Sequence, residues 1–166
     1  MQALLPEKDG MELIINLSEQ WLELRGERTE RFPVSTARNG AGQAMGSEAT
    51  PLGRHLVRAR FGEGLPEGAV LAGRKFSGEI CDATKVQEHP HRDWVLTRIL
   101  WLGGMEPGHN LGGDVDSFRR FIYIHGTPDS EPMGAPASHG CIRMRNADII
   151  RVFDQVPVGA AVTITE

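Results

Sequence analysis

The chain has 166 residues, 40% of them apolar and 24% charged, which is the make-up of one folded domain with its own core and excludes a disordered tail. Lys plus Arg number 18 against 22 Asp plus Glu, a net charge of -4, which argues against nucleic acid as a partner. No apolar run approaches the ~20 residues of a membrane-crossing helix, so no membrane insertion is expected.

Met1-Gln2-Ala3-Leu4-Leu5 runs at once into Pro6, Glu7, Lys8 and Asp9. It lacks the basic start and apolar stretch of about 7–15 residues that a secretory signal needs. The expectation is a cytoplasmic protein, or a periplasmic one if an export signal has been removed. Residues 11–17 mix alternation with β-branched side chains, and 20–25 and 29–35 read as two further strands around the turn Gly26-Glu27-Arg28. Together they form an antiparallel meander. Residues 36–53 are a long loop rich in small residues and ending in Thr50-Pro51-Leu52-Gly53. Loops of that length more often carry function than fill space.

Residues 54–61 and 69–73 look extended. The most apolar stretch, 94–102, reads as a core strand that Gly103-Gly104 ends. Residues 105–117 are loop, and 119–124 form a strand that runs straight into His125. Residues 126–140 hold three Pro and three Gly with no period, so they form another loop. One helix follows: Asn146 caps it, Asp148 suits its positive end, and Ile149, Ile150, Phe153 and Val156 make its apolar stripe. Pro157 stops it, Gly159 turns the chain, and 161–164 close with a strand. With 20 Gly and 10 Pro the chain is turn-dense, so the expectation is a mainly β fold in a single domain over 1–166.

Chemistry concentrates in Ile124-His125-Gly126-Thr127 and Ser138-His139-Gly140-Cys141-Ile142-Arg143. A cysteine attacks as the thiolate, and an ordinary thiol with pKa ~8.5 is mostly protonated at neutral pH. A neighbouring imidazole can take that proton. His125 stands where a strand end would aim it, and the loop can return Cys141 to its side. Gly140 permits a sharp turn that points main-chain N–H groups at a reacting carbonyl. The same residue types also suit a buried thiol with a structural histidine, or less well a Cys/His/His metal site, for which a second Cys is missing nearby. Cys81, 60 positions from Cys141, is read as a reduced spectator thiol.

These segments resemble the signature of the L,D-transpeptidase catalytic domain (YkuD-type) family. Val34-Ser35-Thr36, the Thr-Pro-x-Gly turn at Thr50, and the helix and strand after Cys141 are similar to the family as well, over roughly residues 11–165. The resemblance implies a β-sandwich or barrel with a short helix after the catalytic loop. It implies Cys141 as nucleophile, held ionised beside His125 as its base, with His139 polarising the thiolate. Gly140 and Cys141 would form the oxyanion hole, Ser138 would support the loop, and Arg143 would meet a substrate carboxylate. At Gly126, where some members carry Ser, the backbone carbonyl would suffice to hold the His125 tautomer. No cofactor and no metal are implied.

The substrate so implied is the peptidoglycan stem tetrapeptide, and carbapenem-type inhibitors would acylate the same thiol. Together with the cytoplasmic expectation, this points to an L,D-carboxypeptidase that removes terminal D-Ala from recycled muropeptides. The alternative is an L,D-transpeptidase forming 3-3 cross-links. His55 is read as structural, His89 and His91 as a surface turn, Trp94 and Trp101 as core. His109 lies in a loop that could approach the site, and Arg119-Arg120 are read as a solvated strand edge of which one could face the substrate.

Overall fold

The computed structural model describes residues 10–166. Its elements are β1 (Glu12–Asn16), β2 (Trp21–Arg25), β3 (Thr29–Pro33), β4 (Gly53–Phe61), β5 (Ala69–Ala72), β6 (Lys75–Ile80), α1 (Ala83–Glu88), β7 (Leu96–Gly104), β8 (Tyr123–Gly126), β9 (Ile142–Met144), α2 (Asn146–Gln155) and β10 (Ala161–Thr165). The ten strands join in one curled sheet in the order β3-β2-β1-β10-β4-β7-β5-β6, with β8 pairing β7 and β9 pairing β8.

The meander forms as the alternation predicts. Leu13 and Ile15 of β1 and Leu22 and Leu24 of β2 turn inward across an antiparallel ladder. β10 lies parallel beside β1, and its Val162 and Ile164 continue the same buried face. Helix α2 packs on this core through Ile149, Val152, Phe153 and Val156. That spacing of three and four residues is the single stripe a helix needs to bury. Val152, not Ile150, completes the stripe; Ile150 is only half-buried.

Three expectations change. The strand predicted from 119 begins only at Tyr123, because residues 116–121 form a turn. There Arg120 N–H donates to Asp116 O at 3.0 Å, and Phe121 adopts φ 56°. Gly103-Gly104 are the last two residues of β7, which ends there. The Arg58 side chain covers one and the Asn110 carbonyl abuts the other, so neither site has room for a side chain. Asn146 does not cap α2. Arg145 holds the cap position without a side-chain bond, and the buried Asn146 amide instead ties the start of β7 to the segment after β8, accepting from Thr97 Oγ1 at 2.7 Å and donating to Thr127 O at 3.1 Å. Finally, β6 and α1 had no counterpart in the sequence reading. Neither contains a buried residue, so neither shows the apolar period by which elements are recognised. Asp82 caps α1, accepting from Lys85 N–H at 2.8 Å.

Candidate active site

Strands β8 and β9 are short, and each has one face in the core. Ile124, Ile142 and Met144 point into it. Alternation then puts Tyr123, His125, Cys141 and Arg143 together on the opposite face. The two strands run parallel, with His125 opposite Arg143.

The turn that presents Cys141 is braced from three sides. Ser35 and Arg143 exchange backbone hydrogen bonds of 2.9 Å, and Ala137 and Ser138 N–H both donate to Thr36 O at 2.9 Å. The Thr50 hydroxyl donates to Gly140 O at 2.9 Å. Ser138 Oγ donates to Cys141 O at 2.6 Å and accepts from Gly140 N–H at 3.2 Å. Val34-Ser35-Thr36 and the Thr50 turn are thus the frame of the Cys141 turn. Gly140 has φ 138°, and the Ala49 carbonyl stands 3.2 Å from where a Cβ would be. Only glycine meets both conditions. Its N–H is occupied by Ser138, whereas the Cys141 N–H makes no hydrogen bond among the described residues. Of the two donors expected for an oxyanion, the geometry leaves the one on Cys141 free.

His125 is buried, and its Nδ1 lies 2.6 Å from Gly126 O. Only a protonated Nδ1 can donate there, so Nε2 carries the lone pair. Burial pushes the imidazole pKa below its ordinary value, which keeps the ring neutral. Cys141 is half-buried. Its Sγ donates to Phe121 O at 3.2 Å and accepts the Tyr123 N–H at 3.4 Å. Burial pushes the thiol up to about 11, against a smaller pull from the Tyr123 N–H. Burial thus favours the protonated thiol and the unprotonated imidazole in the resting protein, and among the described residues no hydrogen bond joins Cys141 to His125.

Gly126 is enclosed by the Asn146 side chain, Leu96 O and Thr97. Thr97 holds φ 74° at a bulge between β7 and β8. A β-branched residue there is strained, and such strain tends to gather at functional sites.

Arg143 is only 7% exposed and already lies between two acids, 3.0 Å from Asp93 and 3.6 Å from Glu131. A substrate carboxylate would compete with both. His139 is exposed, and its ring makes no hydrogen bond among the described residues. His55 is buried between Gly53 O at 3.0 Å and Ser117 Oγ at 2.8 Å, a structural setting. Trp94 is buried; Trp101 is half-buried and stacks on Phe118 with centroids 3.8 Å apart. Cys81 is half-buried and lies 3.9 Å from Asp82 O. The ring of His89 packs edge-on against Trp94, and His91 is exposed. Asp93, Glu131 and Thr97 had no signal in the sequence, and Asn146 showed only as a helix cap, because each acts through a partner distant along the chain. Among the described residues no group of three or more His, Cys, Asp or Glu is placed to hold a metal, and no helix is long and apolar enough to cross a membrane.

The sequence matches the L,D-transpeptidase catalytic domain family (YkuD) over residues 10–164, and the chain belongs to that family. The probable L,D-transpeptidase ErfK/SrfK of Salmonella typhimurium is 49% identical over 99% of this chain and 47% of its own length. The putative L,D-transpeptidase YqjB of Bacillus subtilis is 45% identical over 34% of this chain and 32% of its own. The chain thus spans about a third to a half of these curated relatives. Among solved structures, the L,D-transpeptidase from Mycobacterium smegmatis superposes with TM-score 0.58 at 15% identity, covering 94% of this chain and 58% of that one. L,D-transpeptidase 3 from Mycobacterium tuberculosis, in complex with a faropenem-derived adduct, gives 0.56 at 17% identity over 94% and 60%. At such identity these superpositions speak for the fold alone.

Proposed function

We propose that the protein is a cysteine acyltransferase of peptidoglycan stem peptides, with Cys141 as nucleophile and His125 as base. The observation that supports it most is the locked tautomer of His125: Nδ1 is committed to Gly126 O at 2.6 Å, which leaves a basic Nε2 on the face that carries Cys141. The thiol turns from Phe121 O toward that nitrogen and attacks the carbonyl of the third residue of a tetrapeptide stem. His125 takes the thiol proton as the carbon–sulfur bond forms, and the free Cys141 N–H receives the developing oxyanion. The carbon–nitrogen bond to D-Ala then breaks, His125 returns the proton to the leaving amine, and a thioester remains on Cys141. Ser138 supports the turn, and Arg143 with its two acids shapes the substrate side. His139 is kept as a group that meets substrate from the exposed side.

The acceptor decides the product. An amine from a second stem gives a 3-3 cross-link, the reading favoured by relatives named L,D-transpeptidases. Water gives a free tripeptide, the L,D-carboxypeptidase outcome, which would go with muropeptide recycling in the cytoplasm; cross-linking would go with the periplasm. The test is to incubate the protein with a disaccharide tetrapeptide and follow masses. Loss of alanine, abolished in Cys141→Ala, is expected; dimers mark transpeptidation and free tripeptide marks hydrolysis. A carbapenem should add its mass at Cys141. Full turnover by Cys141→Ala would overturn the proposal.

A further inference from the structure

Two arginines lie beside Cys141, and they differ in their partners. Arg143 is neutralised by Asp93 and Glu131. Arg120 is half-buried and has no carboxylate partner among the described residues. Its guanidinium is fixed by neutral oxygens: Nη1 donates to Gly42 O and Gln43 O, both at 3.1 Å, and Nη2 donates to Ser47 Oγ at 3.1 Å and Ala49 O at 2.7 Å. The Ala49 carbonyl is also the group that abuts Gly140. The residue after Arg120, Phe121, offers the carbonyl that holds the Cys141 thiol. Arg120 is thereby anchored to the Cys141 turn on two sides.

A guanidinium has five N–H donors, four of them on its two terminal nitrogens. Here all four are taken by the 42–49 loop. Arg120 therefore has no fork left to grip a substrate carboxylate. What it does offer is a fixed positive charge without an anion, in a place where water screens it only in part.

We infer that Arg120 is an electrostatic positioning residue, whose unpaired charge, held by the 42–49 loop, is the waiting counter-ion for the sulfur anion and oxyanion that arise at Cys141. It does not touch substrate; it acts through Cys141. The inference rests on Cys141 being the reacting group. Of the other charged groups, Arg143 and Asp93 act on the sulfur as a pair. Tyr123 packs against it, giving its N–H to Sγ while its phenol accepts from Arg74, and His125 stands on the same strand face. The titratable neighbour that the charge of Arg120 acts on is Cys141 itself.

The test reads the pH dependence of Cys141 alkylation by iodoacetamide, in a Cys81→Ser background so that a single thiol reports. In Arg120→Gln the midpoint of the profile should rise by about one unit, so that alkylation below it slows about tenfold. Arg120→Lys keeps the charge but loses most of the four-oxygen anchor; its midpoint should stay close to the parent's even if its melting temperature falls. A merely structural arginine would lower the melting temperature in both variants and leave both midpoints alone, and an unmoved midpoint in folded Arg120→Gln overturns the inference. A midpoint in Arg120→Lys raised by a full unit also overturns it, and this arm stands by itself if Arg120→Gln does not fold. Failure of Cys141 to alkylate at any pH in the parent would remove the nucleophile reading and this inference with it.

Discussion

Gly126 serves His125 twice: its carbonyl accepts the Nδ1 proton at 2.6 Å, and its missing side chain makes room for Asn146 and Leu96 O against the same strand. The tautomer and the strand's seat on the bulge thus depend on one residue. Gly126→Ala would drive a methyl into the Asn146 amide and a backbone carbonyl. Overpacking of that kind costs about 1–3 kcal/mol. It also displaces the acceptor of His125, and small misplacements of catalytic groups lower rates by about 100-fold. The check is a denaturant melt beside turnover of the tetrapeptide. Wild-type stability and rate in Gly126→Ala would show that Asn146 yields freely.

The neutral resting pair predicts an unusual pH profile. Burial lowers the imidazole pKa of His125, and the neutral ring is the form that accepts a proton. The acid limb of kcat/KM should therefore lie below the ordinary imidazole value of about 6.5. The thiol, pushed up to about 11, should give no separate step between pH 7 and 9. A preformed ion pair would instead lose activity as the thiolate protonated on the acid side and the imidazolium deprotonated on the alkaline side. A kcat/KM series from pH 4 to 10 separates the two.

Thr50 contributes through one hydroxyl. It donates to Gly140 O at 2.9 Å and accepts from Ala37 N–H at 3.1 Å. Thr50→Val keeps the shape and strands both buried partners, which costs about 1–3 kcal/mol. Because the carbonyl it releases belongs to the turn that aims Cys141, kcat should fall more than KM rises. A loss confined to KM would place Thr50 in substrate binding instead.

The legible parts of this site are those in which neighbours in sequence are neighbours in space. His125 lies at the end of β8, Cys141 directly precedes the parallel strand β9 beside it, and the loop between them is rich in Gly and Pro; the motif therefore shows. The apolar spacing in α2 is equally local. The hidden parts are pairings across the chain. Asp93 and Glu131 gain their role only when the fold brings them to Arg143. Arg120 reads as a strand-edge charge because Phe121's left-handed backbone, which ends the turn, leaves no mark in the sequence. The ionisation state of the site is hidden for the same reason. A motif supplies a thiol and an imidazole but not their burial, and burial here favours the neutral form of each.

The buried His55 gives the last prediction, one about stability. Burial is the main cause that holds its pKa at about 4, against 6.5 when exposed. Between those values the unfolded chain binds a proton that the native chain refuses, so stability falls as pH drops from 6.5 to 4. Two and a half units correspond to at most about 3 kcal/mol, present in full above pH 6.5. His55→Gln removes this titration, although it also weakens the bonds to Gly53 O and Ser117 Oγ. The variant is therefore less stable at neutral pH, and its deficit relative to wild type should shrink by up to that amount on acidification. His125 and the carboxylates titrate in both proteins and cancel in the difference. Urea unfolding at pH 7, 6, 5 and 4 measures it, and parallel curves for the two proteins would show that His55 titrates in the folded state as it does in the unfolded chain.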